Sequence, residues 1–166
     1  FNHMRRTVQL AKANGVKVGA HPSLPDLQGF GRREMKIGRE ELVNCMIYQI
    51  GALKGFLQAE GIELNHIKPH GSLYGMAARM EDVAHAVADV ADIFRVPLYG
   101  MAGTLHESIY TARRHVFVSE FYADLDYNDQ GGLIITREHA ATDPQAAAAS
   151  WLRAIREGVV RSVGGV

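Results

Sequence analysis

Two short apolar runs in this chain stop at groups able to handle protons and anions. In "GVKVGAHPSLPDLQGFGRR", Gly15 to Arg33, the residues Val16, Val18 and Ala20 alternate as one face of a strand. The pattern then yields to His21, Pro22 and a loop carrying Asp26, Arg32 and Arg33. In "IELNHIKPHGSLY" a second short strand also ends in a histidine, with Lys68 and His70 on either side of Pro69. A residue before proline is held extended, which predicts strand-like geometry for His21 and Lys68, while Gly71 allows a sharp turn after His70. Imidazole shuttles protons near neutral pH, and a fixed ammonium stabilises negative charge on a carbonyl or phosphoryl oxygen.

A third segment, "HVFVSEFYADLDY", brings Glu120 and Asp124 as the carboxylates expected at the same rim, with Asp126 and Asp129 read as loop residues. The catalytic candidates are therefore His21, Lys68, His70 and Asp124, the last to orient a histidine or water. Arg32 or Arg33 could bind an anionic substrate through bidentate hydrogen bonds. His21 and His70 with a carboxylate could also hold zinc or another divalent ion, although no helical His-x-x-x-His pair is present. The "GFG" of residues 29–31 is no phosphate motif and no GxxxxGK[ST] occurs, so ATP chemistry would need another kind of site or another subunit.

The elements that must position these groups alternate. "HMRRTVQLAKAN" has helical spacing at Met4, Val8 and Ala11 and stops at Asn14-Gly15; a strand over 16–21 follows. Over 39–60, Leu42, Met46, Ile50, Leu53 and Leu57 mark the clearest helix, closed by Gly61. Cys45 reads as a core thiol there, and Tyr48 and Gln49 as packing residues. Further helices are predicted over 80–94, with Val83, Val87, Val90 and Phe94 on one face, and near 104–113. Strands are expected in "VPLYGMAG", over 115–119 and as a short strand or arm in "GGLIITRE". Asp143 and Pro144 start a last helix. Alternating strands and helices predict an α/β fold with a parallel sheet, open or closed into a (β/α) barrel, whose ligand site lies at the carboxyl ends of the strands.

The chain has 166 residues, 47% hydrophobic and 22% charged, enough for one domain with a substantial core over 1–166. Eighteen basic and eighteen acidic residues cancel, which gives no charge signal for nucleic acid or an anionic membrane. No apolar run reaches the roughly 18–20 residues of a bilayer span. One cysteine excludes an internal disulfide and a Cys-rich zinc site. A cytoplasmic protein acting on a small molecule is expected, with self-association left open. Both ends read as cut into a βα pattern, so the chain is expected to be a piece of a longer protein.

Four segments in order, "GVKVGAHPSLPDLQGFGRREM", "YQIGAL", "KPHGSLY" and "FYADLDY", resemble the LamB/YcsF family. The resemblance implies a (β/α) barrel of the glycoside hydrolase/deacetylase type, seven-stranded in the family and incomplete here. It implies ATP-dependent opening of 5-oxo-L-proline to L-glutamate, with ATP accompanied by Mg, in company with two partner 5-oxoprolinase subunits, B and C. His21, Asp26, Arg32 and Arg33 fall in the first family motif, Lys68, His70 and Tyr74 in the second, and Asp124 in the third. Asp26, Arg32, Arg33 and Tyr74 are thereby expected to bind substrate. Leu125 stands where members often carry arginine, and acidic and histidine segments usual at both ends of the family are absent from this sequence. Two competing expectations are a metal-dependent deacetylase acting on a polysaccharide or amide, and a non-catalytic regulatory or interaction protein.

Overall fold

The computed structural model describes residues 1–134 and 142–165, and its contacts fall into two compact units, Phe1–Ser119 and Glu120–Val166. The first unit runs α1 (Asn2–Ala13), β1 (Val18–Ala20), α2 (Arg39–Glu60), β2 (Leu64–Ile67), α3 (Gly71–Arg79), α4 (Glu81–Phe94), β3 (Leu98–Met101), α5 (Leu105–Ala112) and β4 (Phe117–Glu120). The four strands lie in the order β1-β2-β3-β4, with β1–β2 and β2–β3 parallel. A doubly wound sheet reverses its strand order at a switch point. This one steps in a single direction, as successive units of a (β/α) barrel do.

The helices form a layer against the strands, α1 on α2, α2 on α4, and α4 also on α3 and α5. At 22 residues α2 is about 33 Å long. Leu42, Met46, Ile50 and Leu57 are buried on its inner face, each such side chain contributing about 1.5–3 kcal/mol of burial. Glu40 and Glu41 suit the positive N-terminal end of its dipole, and Gly61 ends it in the left-handed region. In α4 the buried Ala84, Ala86, Ala88 and Ala91 let three neighbouring helices approach closely, while Val83, Val87 and Val90 fill between them. Outside this layer, Asp89 of α4 takes Arg39 of α2 and Arg113 beyond α5, each at 2.7 Å. Partial burial pushes the Asp89 carboxyl up, but the two guanidinium groups prevail and hold it below its ordinary value.

Most predicted elements are present. The helix α3 was not foreseen, because "HGSLYGMAAR" has two glycines and a short apolar face; Leu73, Tyr74, Met76 and Ala77 nevertheless bury it. In the second unit, β5 (Asp126–Tyr127) pairs antiparallel with β6 (Leu133–Ile134), so Asp126 stands in a short strand rather than a loop. The remainder of "GGLIITRE", residues 135–138, lies outside the described residues. Helix α6 (Pro144–Glu157) begins as expected: the Asp143 carboxylate accepts the Gln145 N–H at 3.1 Å, and proline opens the first turn.

Candidate functional site

Backbone pairing between β1 and β2 continues past the ends of both strands. Lys68 donates its N–H to the Ala20 carbonyl at 2.9 Å, and His70 donates to Pro22 at 2.8 Å. This ladder carries His21 and His70 side by side, with ring centroids 4.8 Å apart and planes at 77°. His21 Nδ1 lies 2.6 Å from the Lys68 carbonyl oxygen and His70 Nε2 lies 2.8 Å from that of Phe30. A carbonyl accepts only, so both of these ring nitrogens carry hydrogen. The inner nitrogens, His21 Nε2 and His70 Nδ1, face each other at 3.0 Å.

The loop that supplies Phe30 is pegged by Asp26. Its carboxylate is buried, accepts the backbone N–H groups of Gly29 at 3.0 Å and Arg33 at 3.2 Å, and pairs with the Arg33 guanidinium. Those Arg33 hydrogen bonds hold the Asp26 carboxyl down at about 2 against the upward push of burial, with the Gly29 amide adding to the lowering. A Cβ at Gly29 would meet Asp26 Oδ2 at 2.0 Å, so the peg requires glycine there. Phe30 itself has φ +54, an uncommon value for a non-glycine residue, which sets its carbonyl against His70. Its ring meets the His70 ring edge-on at 5.1 Å and lies under the Arg32 guanidinium at 5.9 Å.

The two loops then touch backbone to backbone. Ser72 donates its N–H to the Gly31 carbonyl at 2.9 Å. Gly71, at φ +57, would place a Cβ 2.6 Å from that same oxygen. The third wall comes from α2. The Gln49 amide accepts the Ser23 N–H at 3.0 Å and donates to the Ser23 carbonyl at 2.8 Å, closing a two-point clamp two residues beyond His21.

Between these walls lies a cavity of about 520 Å³, within the range of small-molecule sites. It is lined by His21, His70, Asp26, Phe30, Tyr48, Gln49 and Cys45, with Ser23, Leu24, Pro25, Leu27 and Gly31. Of the sequence candidates, it gathers His21, His70 and Asp26. Lys68 is half-buried and shapes the site through its backbone; its side chain is not among the lining groups. Arg33 is committed to Asp26, and Arg32 is exposed over Phe30. Tyr74 is buried in the core, 4.6 Å from the ring of His106, whose Nε2 donates to the Tyr74 carbonyl. Asp124 is exposed in the second unit, as part of Glu120–Val166.

Gln49, Tyr48, Cys45 and the Phe30 carbonyl are the participants that sequence reasoning assigned to packing or passed over. The signal was available in part: 45, 48 and 49 share a helix face beside the buried stripe of 42, 46 and 50. No sequence pattern announces a backbone carbonyl. Among the described residues no three His, Cys, Asp or Glu side chains gather to hold a metal ion. The loop amides of Gly29, Gly31 and Arg33 are all spent on Asp26, which leaves them no part in a phosphate cradle. No helix among the described residues is long and apolar enough to cross a membrane.

The LamB/YcsF family model matches residues 1–166. The chain is 45% identical over 163 residues to the lactam utilization protein lamB of Emericella nidulans, covering 98% of this chain and 64% of that protein. It is 46% identical over 164 residues to a 5-oxoprolinase A subunit of Pseudomonas aeruginosa, covering 98% and 65%. Among solved structures, the lactam utilization protein from Thermus thermophilus superposes with a TM-score of 0.88 at 42% identity, over 99% of this chain and 68% of that one. The chain thus spans a little under two thirds of the length of these curated relatives.

Proposed function

Since the chain belongs to the LamB/YcsF family, we propose that it is part of an A-type component of a 5-oxoprolinase, the enzyme that opens 5-oxo-L-proline to L-glutamate with consumption of ATP and in company with B and C subunits. One observation carries the reading: the cavity at the carboxyl ends of β1 and β2 with His21 and His70 in its wall, in a chain whose relatives are named for lactam use and 5-oxoprolinase. A five-membered lactam is an unstrained amide and a poor electrophile. ATP would supply activation by phosphorylating the amide oxygen. ATP with its Mg would enter as a co-substrate.

The chain's own residues supply the rest. His21 and His70 move protons at the cleaved C–N bond, and Lys68 with Arg32 neutralises the phosphate or the substrate carboxylate. Arg33 acts through Asp26, by holding the loop. The one cysteine, Cys45, is a free thiol, which suits a cytoplasmic enzyme.

The test is reconstitution of the full-length protein with its partner subunits, with glutamate release from 5-oxoproline followed with and without ATP. ATP-dependent release supports the assignment, and none from an intact complex removes it. In that assay Lys68→Met should abolish release; near-normal turnover would take Lys68 out of the mechanism.

A further inference from the structure

Phe30 occupies a position that favours glycine. It stands between Gly29 and Gly31 in the left-handed region at φ +54, a conformation that its Cβ makes costly. Burial does not offset that cost, because the residue is 71% exposed. A strained, exposed aromatic in the wall of a cavity points to a use for its ring other than packing. Its carbonyl oxygen lies 2.8 Å from His70 Nε2, and its ring meets the same imidazole edge-on, at 5.1 Å and 84°. The ring face carries the Arg32 guanidinium, 5.9 Å from the centroid. Of the three arginines around this loop, Arg33 is held by Asp26 and Arg79 by Glu34. No carboxylate among the described residues pairs with Arg32.

We propose that Phe30 is a positioning residue. It fixes the His70 imidazole through its carbonyl and ring edge and seats the Arg32 guanidinium on its ring face, so that Arg32 meets the substrate's carboxylate beside His70. The backbone on both sides is held for that purpose. Gly31 donates its N–H to the Asp26 carbonyl and Arg32 donates to that of Gly29, each at 2.9 Å. A guanidinium presents two parallel N–H groups to the two oxygens of a carboxylate. An exposed arginine loses rotamer freedom on binding, and one already resting on an aromatic face loses less. The choice of ligand rests on the 5-oxoprolinase reading, since 5-oxoproline carries a carboxylate next to its lactam nitrogen.

Three substitutions in the full-length protein separate this from a structural role. Phe30→Gly relieves the backbone and removes the ring, so the melting temperature should hold or rise by about 2–4 °C. Phe30→Leu keeps the strain and removes only the aromatic face, and Phe30→Tyr keeps both. In titrations, 5-oxoproline should bind more tightly than 2-pyrrolidinone, the same lactam without its carboxylate, and Arg32→Gln should erase that preference. Phe30→Gly and Phe30→Leu should cut it by about threefold or more, and Phe30→Tyr should restore most of it. Damage to the fold alone would weaken both ligands equally. In ligand-free protein labelled at histidine and arginine, NMR relaxation should show the His70 ring and Arg32 Nε ordered in wild type and Phe30→Tyr. Both should be more mobile in Phe30→Gly and Phe30→Leu. An unchanged preference in Phe30→Leu overturns the proposal, as does a ring and guanidinium as ordered there as in wild type. A marked fall in the melting temperature of Phe30→Gly would make Phe30 a packing residue and overturn it too. If wild type binds no 5-oxoproline, the 5-oxoprolinase reading falls, and the relaxation measurements still decide the positioning role.

Discussion

Replacing Gln49 tests whether α2 holds the His21 loop in place. The amide makes two complementary hydrogen bonds to one residue, accepting the Ser23 N–H at 3.0 Å and donating to its carbonyl at 2.8 Å. A partly buried hydrogen bond contributes a net ~0.5–1.5 kcal/mol. Gln49→Ala should therefore cost about 2 kcal/mol, which for a chain of this size lowers the melting temperature by roughly 4–8 °C. Gln49→Glu is the sharper probe. One carboxylate oxygen still accepts from Ser23, but the other now faces the Ser23 carbonyl where a donor stood. Folding then favours the protonated acid, so the folded-state pKa of the introduced carboxyl rises above the ordinary value of about 4.3. Stability relative to wild type is retained below that value and lost as pH rises through the raised one. Urea denaturation of Gln49→Glu and wild type, paired at pH 4 and pH 7, should show a small deficit at pH 4 and a larger one at pH 7. Other groups titrate in both proteins and cancel in the difference. Equal deficits at the two pH values would refute the clamp.

Asp26 predicts the opposite slope. Its carboxyl is held down at about 2 in the fold, against an ordinary value of 3.8, so its contribution is complete above about 4 and is lost as pH falls through 2. Asp26→Asn should be clearly less stable than wild type at neutral pH, with the gap closing between pH 4 and pH 2; a constant gap would mean that Arg33 does not recognise the carboxylate charge. Gly71→Ala should destabilise by more than the ~1–2 kcal/mol of its left-handed backbone, because its Cβ would also press on the Gly31 carbonyl. Gly75→Ala on the same helix meets nothing within 4 Å and should be neutral or stabilising by up to about 1 kcal/mol in the same denaturant titration.

The helices and the parallel order were legible because their signals are local. The stripe 42–46–50–57 can be read from spacing alone, and it is buried as read. The pairing of His21 with His70 was half legible: two strand ends bearing histidine in a parallel sheet belong at one rim, but the ring-to-ring contact depends on the ladder that continues through Pro22 and His70. Tyr74 shows the converse. Its motif suggests a substrate contact, yet α3, unseen in the sequence, turns its ring into the core against His106. Asp26 had no legible role from charge, because the carboxylate's partner lies in its own loop seven residues away. Gln49 was unreadable for a similar reason: beside an apolar stripe it reads as a packing residue, and its clamp on Ser23 exists only once the loop is folded over it.

The Gly31–Ser72 bond makes a weld out of what would otherwise be two movable flaps. A ligand that lifts the loop of residues 22–33 must break that bond or drag the first turn of α3 along with it. Tyr74 in that helix leans on His106, which also takes the Met101 N–H at the end of β3. Displacement at the mouth would thus be passed through Tyr74 and His106 to the end of β3, one strand further along the sheet.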